Sequence, residues 1–268
     1  MKIAWATVAE SQRLYGDVWR LWLHAPEVAA GAVPGQFLML RCHDAGTGYG
    51  PPMLPRPMSY HRFRPAEGGG RDFAVLYEVV GQGTQWLSRR WPGDRIFAYG
   101  PLGRGYAVRR AAGNLLLVAG GIGVAPLVAL ADEQVAVGRQ VTLIDGARGA
   151  GGLFPTQLLP PEVEIVSVTE DGSTGRPGLV TDVVPEYLSW ADQVFACGPN
   201  AMFRALAGVV RRFEGEGARR GRKPVQVLLE QVMPCGTGIC YGCAVRTRRG
   251  VRLICKDGPR FELRDVVW

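Results

Sequence analysis

Over the first hundred residues, short apolar runs alternate with chain breakers. Trp19–Leu23 (WRLWL), Gln36–Arg41 (QFLMLR) and Phe73–Val80 (FAVLYEVV) are rich in β-branched, aromatic and aliphatic side chains. Pro34-Gly35 and the glycine- and proline-dense run Gly46 to Pro57 separate them. Several short strands at this spacing predict an antiparallel β-barrel. From Asn114 onward the rhythm changes. Leu115–Ala119 (LLLVA) ends in Gly120-Gly121-Ile122-Gly123, Ala125–Val137 has a helix-forming composition, and further apolar runs stand at Val141–Ile144, Val163–Val168 and Gln193–Ala196. Strands alternating with helical stretches predict a parallel sheet flanked by helices, with ligands at the carboxyl ends of its strands.

The expected fold class is thus multidomain, α+β and α/β. An N-terminal antiparallel barrel over 1–106 precedes a parallel nucleotide-binding sheet over 107–224 and a small C-terminal subdomain over 225–268, the first boundary falling within 106–113. The charged segment GEGARRGRKP, residues 215–224, reads as a linker or loop leading to Val225–Leu229.

Composition narrows the function. With 268 residues, 47% hydrophobic and 21% charged, the chain has the make-up of a soluble globular protein of one large domain or two ordinary ones. Leu115–Leu130, its most apolar stretch, is too short for a bilayer and is broken by glycines and Pro126. The first ten residues hold no long apolar segment of a secretory signal, so a cytoplasmic, reducing location is expected. The formal charge of +7 comes partly from Arg109-Arg110, Arg211-Arg212, Arg219-Arg220 and Arg248-Arg249. No recognition helix or aromatic-interleaved basic stretch accompanies them, so neither nucleic acid nor membrane is an expected partner.

The chemistry concentrates near the end of the chain. Cys235, Cys240, Cys243 and Cys255 follow the spacing C-x4-C-x2-C-x11-C, and plant-type ferredoxins use C-x4-C-x2-C with a distant fourth cysteine to hold a 2Fe-2S cluster. Gly236, Gly238 and Gly242 give the loop access to positive φ, and its amides could then point at the sulfurs. Zinc is the weaker fit, because structural zinc sites usually carry C-x2-C at both ends and here only Cys240 and Cys243 are so paired. Disulfides are disfavoured by the expected reducing compartment.

Upstream motifs are individually permissive. Arg56-Pro57-Met58-Ser59 joins a phosphate-matching guanidinium to a stiffened turn. Gly81-Gln82-Gly83-Thr84 opens a helix that Thr84 would cap, offering amides to an anion; the bland reading is an ordinary capped turn. Gly120–Gly123 has the logic of a dinucleotide loop without the G-x-G-x-x-G spacing. Cys197-Gly198-Pro199 closes the last apolar run of the sheet, where Cys197 lies against a nicotinamide or is simply a small buried side chain. Asp145-Gly146-Ala147-Arg148 leaves NAD and NADP both open, the acid suiting ribose hydroxyls and the arginine a 2′-phosphate.

The order RPMS, LYEVVGQGT, GPLGRGY, VAGGIGVAPL, CGP and then EQVMPCGTGICYGC with CKDGPRF resembles the ferredoxin-NADP reductase superfamily over nearly the whole chain. Within it, the closest resemblance is to electron-transfer subunits of NAD-dependent dihydroorotate dehydrogenase. The resemblance implies FAD between barrel and nucleotide sheet, with Arg56, Pro57, Met58 and Ser59 at the flavin and its phosphates. Leu76, Tyr77 and Glu78 would line the flavin, and Gly83 and Thr84 would bind pyrophosphate. NAD would meet Gly120, Gly121, Cys197, Gly198 and Pro199, and the four cysteines would hold the 2Fe-2S cluster. Ser59, Cys197 and Glu230 are the candidates nearest the reacting atoms, Glu230 having a surface salt bridge as its alternative. The implied partner is an FMN-containing dihydroorotate dehydrogenase catalytic subunit, in a heterotetramer of two of each, serving pyrimidine biosynthesis. Related readings are the flavin and iron-sulfur subunit of NADH-dependent ferredoxin-NADP reductase or of sulfide dehydrogenase. A zinc-stabilised binding module is the non-enzymatic alternative. The glycines Gly68-Gly69-Gly70 depart from the pattern and lengthen the loop after RPMS.

Overall fold

The computed structural model describes residues 1–43, 52–216 and 222–268. The glycine-proline run 46–51 and the basic residues of 217–221, Arg219 and Arg220 among them, lie outside the described residues. The N-terminal strands are β1 (Lys2–Tyr15), β2 (Val18–His24), β3 (Phe37–Leu40), β4 (Arg56–Ser59), β5 (Arg62–Pro65), β6 (Arg71–Glu78) and β7 (Arg95–Leu102), with short helices α1 (Pro26–Ala29) and α2 (Gln82–Ser88) between them. They form one sheet in the order β4-β3-β7-β1-β2-β6-β5, every pair antiparallel. The curled sheet encloses Leu21, Leu23, Leu38, Leu40, Tyr60, Phe73 and Val75. It is the open, half-closed form of the expected barrel.

The second sheet begins at β8 (Asn114–Gly120) and continues through α3 (Val124–Ala136), β9 (Gln140–Ala147), β10 (Val163–Thr169), β11 (Arg176–Pro177), α4 (Val180–Tyr187), β12 (Gln193–Cys197), α5 (Asn200–Glu216) and β13 (Val225–Leu228). A hairpin of β14 (Ala244–Thr247) and β15 (Gly250–Leu253), the one-turn α6 (Ile254–Asp257) and β16 (Arg260–Glu262) complete the chain. The order is β11-β10-β9-β8-β12-β13-β16, parallel except for the antiparallel last pair. LLLVA reads as a continuous apolar run because both faces of β8 are covered. Leu115, Leu117 and Ala119 face α3, while Leu116 and Val118 face α4 and α5. β13 and β16 flank the cysteine segment in sequence yet are hydrogen-bonded into this sheet, so the C-terminal residues are rooted in its core. Among the described residues no helix is long and apolar enough to cross a membrane.

The two sheets meet through one buried and one half-buried polar contact. His61, fully buried after β4, pairs through Nδ1 with the Ala125 carbonyl at the start of α3 (2.9 Å), and Arg62 pairs with Asp132 of the same helix (2.9 Å). These contacts hold the carboxyl ends of β8 and β12 against β4 and β6.

Candidate redox site

A cavity of about 270 Å³ lies between the first sheet and the carboxyl edge of the second. β4 contributes Pro57, Met58 and Ser59, β6 contributes Leu76, Tyr77 and Glu78, α2 contributes Thr84, β12 contributes Cys197, and the segment after β13 contributes Glu230. A second space of about 620 Å³, walled by Arg56, Pro57 and Glu230 among others, adjoins it. Arg56 lies over Gly83, where a Cβ would stand 2.9 Å from its Nε. A side chain at Gly83 would push the Arg56 guanidinium aside. Thr84 is not the helix cap expected from sequence. It sits in the third helical position, and its Oγ1 accepts hydrogen bonds from the Val80 and Gly81 amides (3.0 and 3.2 Å), satisfying from inside the helix the donors that precede it. Tyr77 Oη is buried and has no hydrogen-bond partner among the described residues. The ring packs in the core of the first sheet with the hydroxyl near Cys42, so the residue lines the cavity without offering that oxygen to it.

Cys197 Sγ donates to Glu230 Oε1 (3.8 Å). Burial, reinforced by the neighbouring Glu230 carboxylate, pushes the Cys197 thiol far up, so it remains protonated. Burial likewise raises Glu230, against the lowering effect of the Cys197 hydrogen bond. The side chain is nonetheless exposed and lines both adjoining cavities. Glu230 thus stands at the cavity wall beside the Cys197 thiol.

Around the edge of the parallel sheet, a separate cavity of about 380 Å³ is lined by Gly120, Gly121, Gly146, Arg148, Glu170 and Pro199, with Met202 beneath. Gly198 connects the two cavities along the chain. Asp145 does not face this space, correcting the idea that its carboxylate meets a ribose. It is buried, accepts the Phe154 amide (2.8 Å), and is pushed up by burial to about 7. The acid that faces the cavity is Glu170, at the end of the next strand, opposite Arg148. Sequence reading missed Glu170, as it did Ile122, Met233 and Pro259 of the first cavity. Met233 and Pro259 lie inside the EQVMPC and CKDGPRF motifs and were legible there; nothing local marked Glu170.

The cysteine loop lies at the other side of the first cavity. Cys243 and Cys255 are buried with Sγ atoms 3.3 Å apart, and all four cysteines are free thiols. Cys235 and Cys240 form the outer pair. Hydrogen bonds from Cys240 and Thr237 outweigh the upward effect of burial and hold Cys235 down at about 6, favouring its thiolate. The Thr237 amide donates to Cys235 Sγ and the Gly242 amide to Cys240 Sγ, both at 3.4 Å, and the Cys255 amide to Cys243 Sγ at 3.5 Å. Gly236 and Gly238 do adopt positive φ (67° and 86°), but Gly242 does not; Tyr241 takes the left-handed turn (φ 60°) in its place. Gly242 is needed for closeness instead, since a Cβ there would stand 2.9 Å from Pro234 Cδ. Among the described residues no three ligating side chains converge as a single metal ion would need. Two thiol pairs with amides on their sulfurs fit a two-iron cluster better than a lone zinc.

Comparison with known proteins agrees with this geometry. Residues 230–267 match the iron-sulfur cluster binding domain of dihydroorotate dehydrogenase B. A dihydroorotate dehydrogenase B (NAD(+)) electron transfer subunit from Desulforamulus reducens is 36% identical over 91% of this chain and 90% of its own. The subunit of the same name from Geobacillus thermodenitrificans is 34% identical over 96% of both chains. A solved structure of an NADH-dependent reduced ferredoxin-NADP oxidoreductase, described for flavin-based electron bifurcation, superposes with a TM-score of 0.80 at 29% identity, covering 99% of this chain and 90% of that one. A ferredoxin reductase in carbazole 1,9a-dioxygenase shares the fold, with a TM-score of 0.65 at 23% identity over 82% of this chain and 67% of that one. On sequence, on fold and on the thiol geometry of its last forty residues, the chain belongs to the family of dihydroorotate dehydrogenase B (NAD(+)) electron transfer subunits.

Proposed function

We propose that this chain passes electrons between the FMN of a separate dihydroorotate dehydrogenase catalytic subunit and NAD, through a 2Fe-2S cluster and FAD, in pyrimidine (UMP) biosynthesis in the cytoplasm. One observation carries the reading: the cavity wall and the inner thiol pair belong to one continuous core. Phe37 lines the cavity, and Phe37, Met39, Leu102, Met233, Cys243 and Cys255 pack in a single apolar cluster. FAD exchanges a hydride with nicotinamide and single electrons with iron-sulfur, which is why it suits the middle position.

The chain's residues supply binding and position. Arg56, with Gly83 and Thr84 beneath it, would hold the flavin's pyrophosphate, and Pro57, Met58 and Ser59 of β4 with Leu76, Tyr77 and Glu78 of β6 would frame its ring. Gly120, Gly121, Gly198 and Pro199 would admit the nicotinamide nucleotide close to the backbone, with Cys197 at its reactive end. Glu230 would hold or release a proton beside the Cys197 thiol. Cys235, Cys240, Cys243 and Cys255 would hold the cluster, whose charge the Thr237, Gly242 and Cys255 amides favour. The proposed parts are 1–106 for FAD, 107–224 for NAD and 225–268 for the cluster, the last lending β13 and β16 to the second sheet. The proposed assembly contains two of each subunit.

The high TM-score with the NADH-dependent ferredoxin-NADP oxidoreductase keeps one second reading in view, a related subunit serving another catalytic partner. Purification with the native partner decides between them. An FMN-containing partner and NADH production driven by dihydroorotate are expected; a large partner bearing 4Fe-4S clusters would favour the second reading. A colourless, iron-free and flavin-free complex would overturn both.

A further inference from the structure

At the amino edge of the second sheet, the opposite end from both redox cavities, the start of β13 (Val225) lies in a third cavity, of about 350 Å³. Four arginines from separate parts of the chain reach it: Arg211 from α5, Arg222 from the approach to β13, Arg248 from the β14–β15 turn, and Arg264 beyond β16. Its two carboxylates are already engaged. Glu214 accepts from Arg264 Nη2 (3.2 Å) and from the Lys223 amide (2.8 Å), and Asp265 pairs with Arg249 (3.6 Å). Lys223 directs its ammonium to the Ala191 carbonyl. Arg211, Arg222 and Arg248 have no acidic partner among the described residues. The floor is apolar, built from Ala207, Val210, Val225, Leu263 and Val266, and Trp268 forms one wall, its indole fixed by an Nε1 hydrogen bond to the Leu263 carbonyl (3.2 Å) and by Phe203 at 5.5 Å.

Like charges gathered around a concave apolar floor repel one another until an anion joins them, and guanidinium forks match phosphate oxygens. A fixed aromatic wall beside them favours a ligand with a planar or apolar body. We propose that this cavity is a binding site for a small phosphate ester carrying a ring, separate from the flavin and nicotinamide sites. Neither the redox chemistry nor the cysteine loop uses any of its residues.

The test uses the intact holoprotein with saturating NAD, so that the nicotinamide cavity is filled, and titrates phenyl phosphate and inorganic phosphate by calorimetry at constant ionic strength. Phenyl phosphate is expected to saturate one site about tenfold more tightly than inorganic phosphate, which corresponds to about 1.4 kcal/mol. Arg211→Gln and Arg248→Gln, both exposed positions, are each expected to weaken binding about tenfold while leaving NADH oxidation unchanged. Absence of saturation at millimolar phenyl phosphate, binding unaltered in both variants, or equal affinity for the two probes would each overturn the assignment.

Discussion

Gly123→Ala is the substitution in which the nucleotide loop's geometry shows most directly. A Cβ at this position would stand 2.2 Å from the Cys197 carbonyl oxygen and 2.8 Å from the Gly198 nitrogen. Ordinary contact begins at 3.4 Å, so the oxygen must move about 1.2 Å relative to the loop. Both neighbours are backbone, and Cys197 is held by its parallel register with Ala119 of β8 and Leu228 of β13, so no side chain can swing aside. The glycine's φ is −59°, which alanine adopts freely, so backbone strain contributes nothing. Alanine would otherwise stabilise by about 0.4–1 kcal/mol through the unfolded chain. Overpacking opposes this with about 1–3 kcal/mol, leaving a net loss of roughly 1–2 kcal/mol. The movement falls on Cys197 and Gly198, where a misplacement of about 1 Å can lower a positioned reaction about 100-fold. Urea unfolding of G123A, beside steady-state NADH oxidation with a dye acceptor, measures both effects. Gly215→Ala serves as the control, since Gly215 lies in α5 with open space around it and should gain stability. A G123A protein as stable as the parent, with unchanged NADH kinetics, would refute the steric account.

Cys240→Ser should abolish electron delivery to the catalytic subunit and lower iron content, while part of the NADH-to-dye activity persists; loss of both activities together, or of neither, would contradict the division between the cysteine loop and the cavity. Glu230→Gln should remove one ionisation from the pH profile of NADH oxidation and slow it about 10²-fold or more, with unfolding free energy changed little; an unaltered profile would show that the carboxyl holds no working proton. His61 and Asp145 should oppose one another in acid. Burial lowers His61 to about 3, so the unfolded chain binds the extra proton between about 3 and its ordinary 6.5, and stability rises with pH across that window. Asp145, raised to about 7, keeps its proton when folded, so stability falls as pH rises from its ordinary 3.8 to about 7. Each slope is about 1.4 kcal/mol per pH unit. His61→Gln should therefore uncover a stability that declines between about pH 4 and 6.5, whereas a flat profile in that variant would mean Asp145 does not titrate as its burial requires.

Much of this was legible in the chain because it is local. The apolar runs at 19–23, 36–41, 115–119 and 193–196 each contain or form the strand expected of them, and the C-x4-C-x2-C loop carries its own spacing. What escaped depends on contacts between distant segments. The nucleotide loop lacks G-x-G-x-x-G because its constraint is set by a neighbouring strand: Gly123 answers to the Cys197 carbonyl, a contact no motif within the loop records. Asp145 has the sequence position of a ribose-binding acid, yet the loop closing over β9 offers it the Phe154 amide and turns it inward. Thr84 resembles a cap by composition, but the helix starts two residues earlier and its hydroxyl works backward.

The same dependence on distant contacts fixes the separation between cavity and cysteine loop. Gly236 adopts φ +67°, and a Cβ there would stand 2.7 Å from Met39 Cγ and 3.2 Å from Leu102 Cδ1. Met39 is fully buried, paired with Pro57 on one side and Tyr99 on the other, and the Tyr99 hydroxyl donates to the Cys235 carbonyl at 3.1 Å. β3 therefore serves both sites from one face, since Phe37 and Met39 pack in the same cluster. Its Phe37 faces the cavity, its Met39 receives the backbone of the cysteine loop, and its partner β4 carries the RPMS segment. Because protein interiors are close-packed and resist deformation, the loop's place relative to the cavity rests on its packing against β3 and β7 as well as on its own spacing. The cysteine spacing determines what the loop can bind, and the packing of Gly236 on Met39 helps set how near to the cavity it is held.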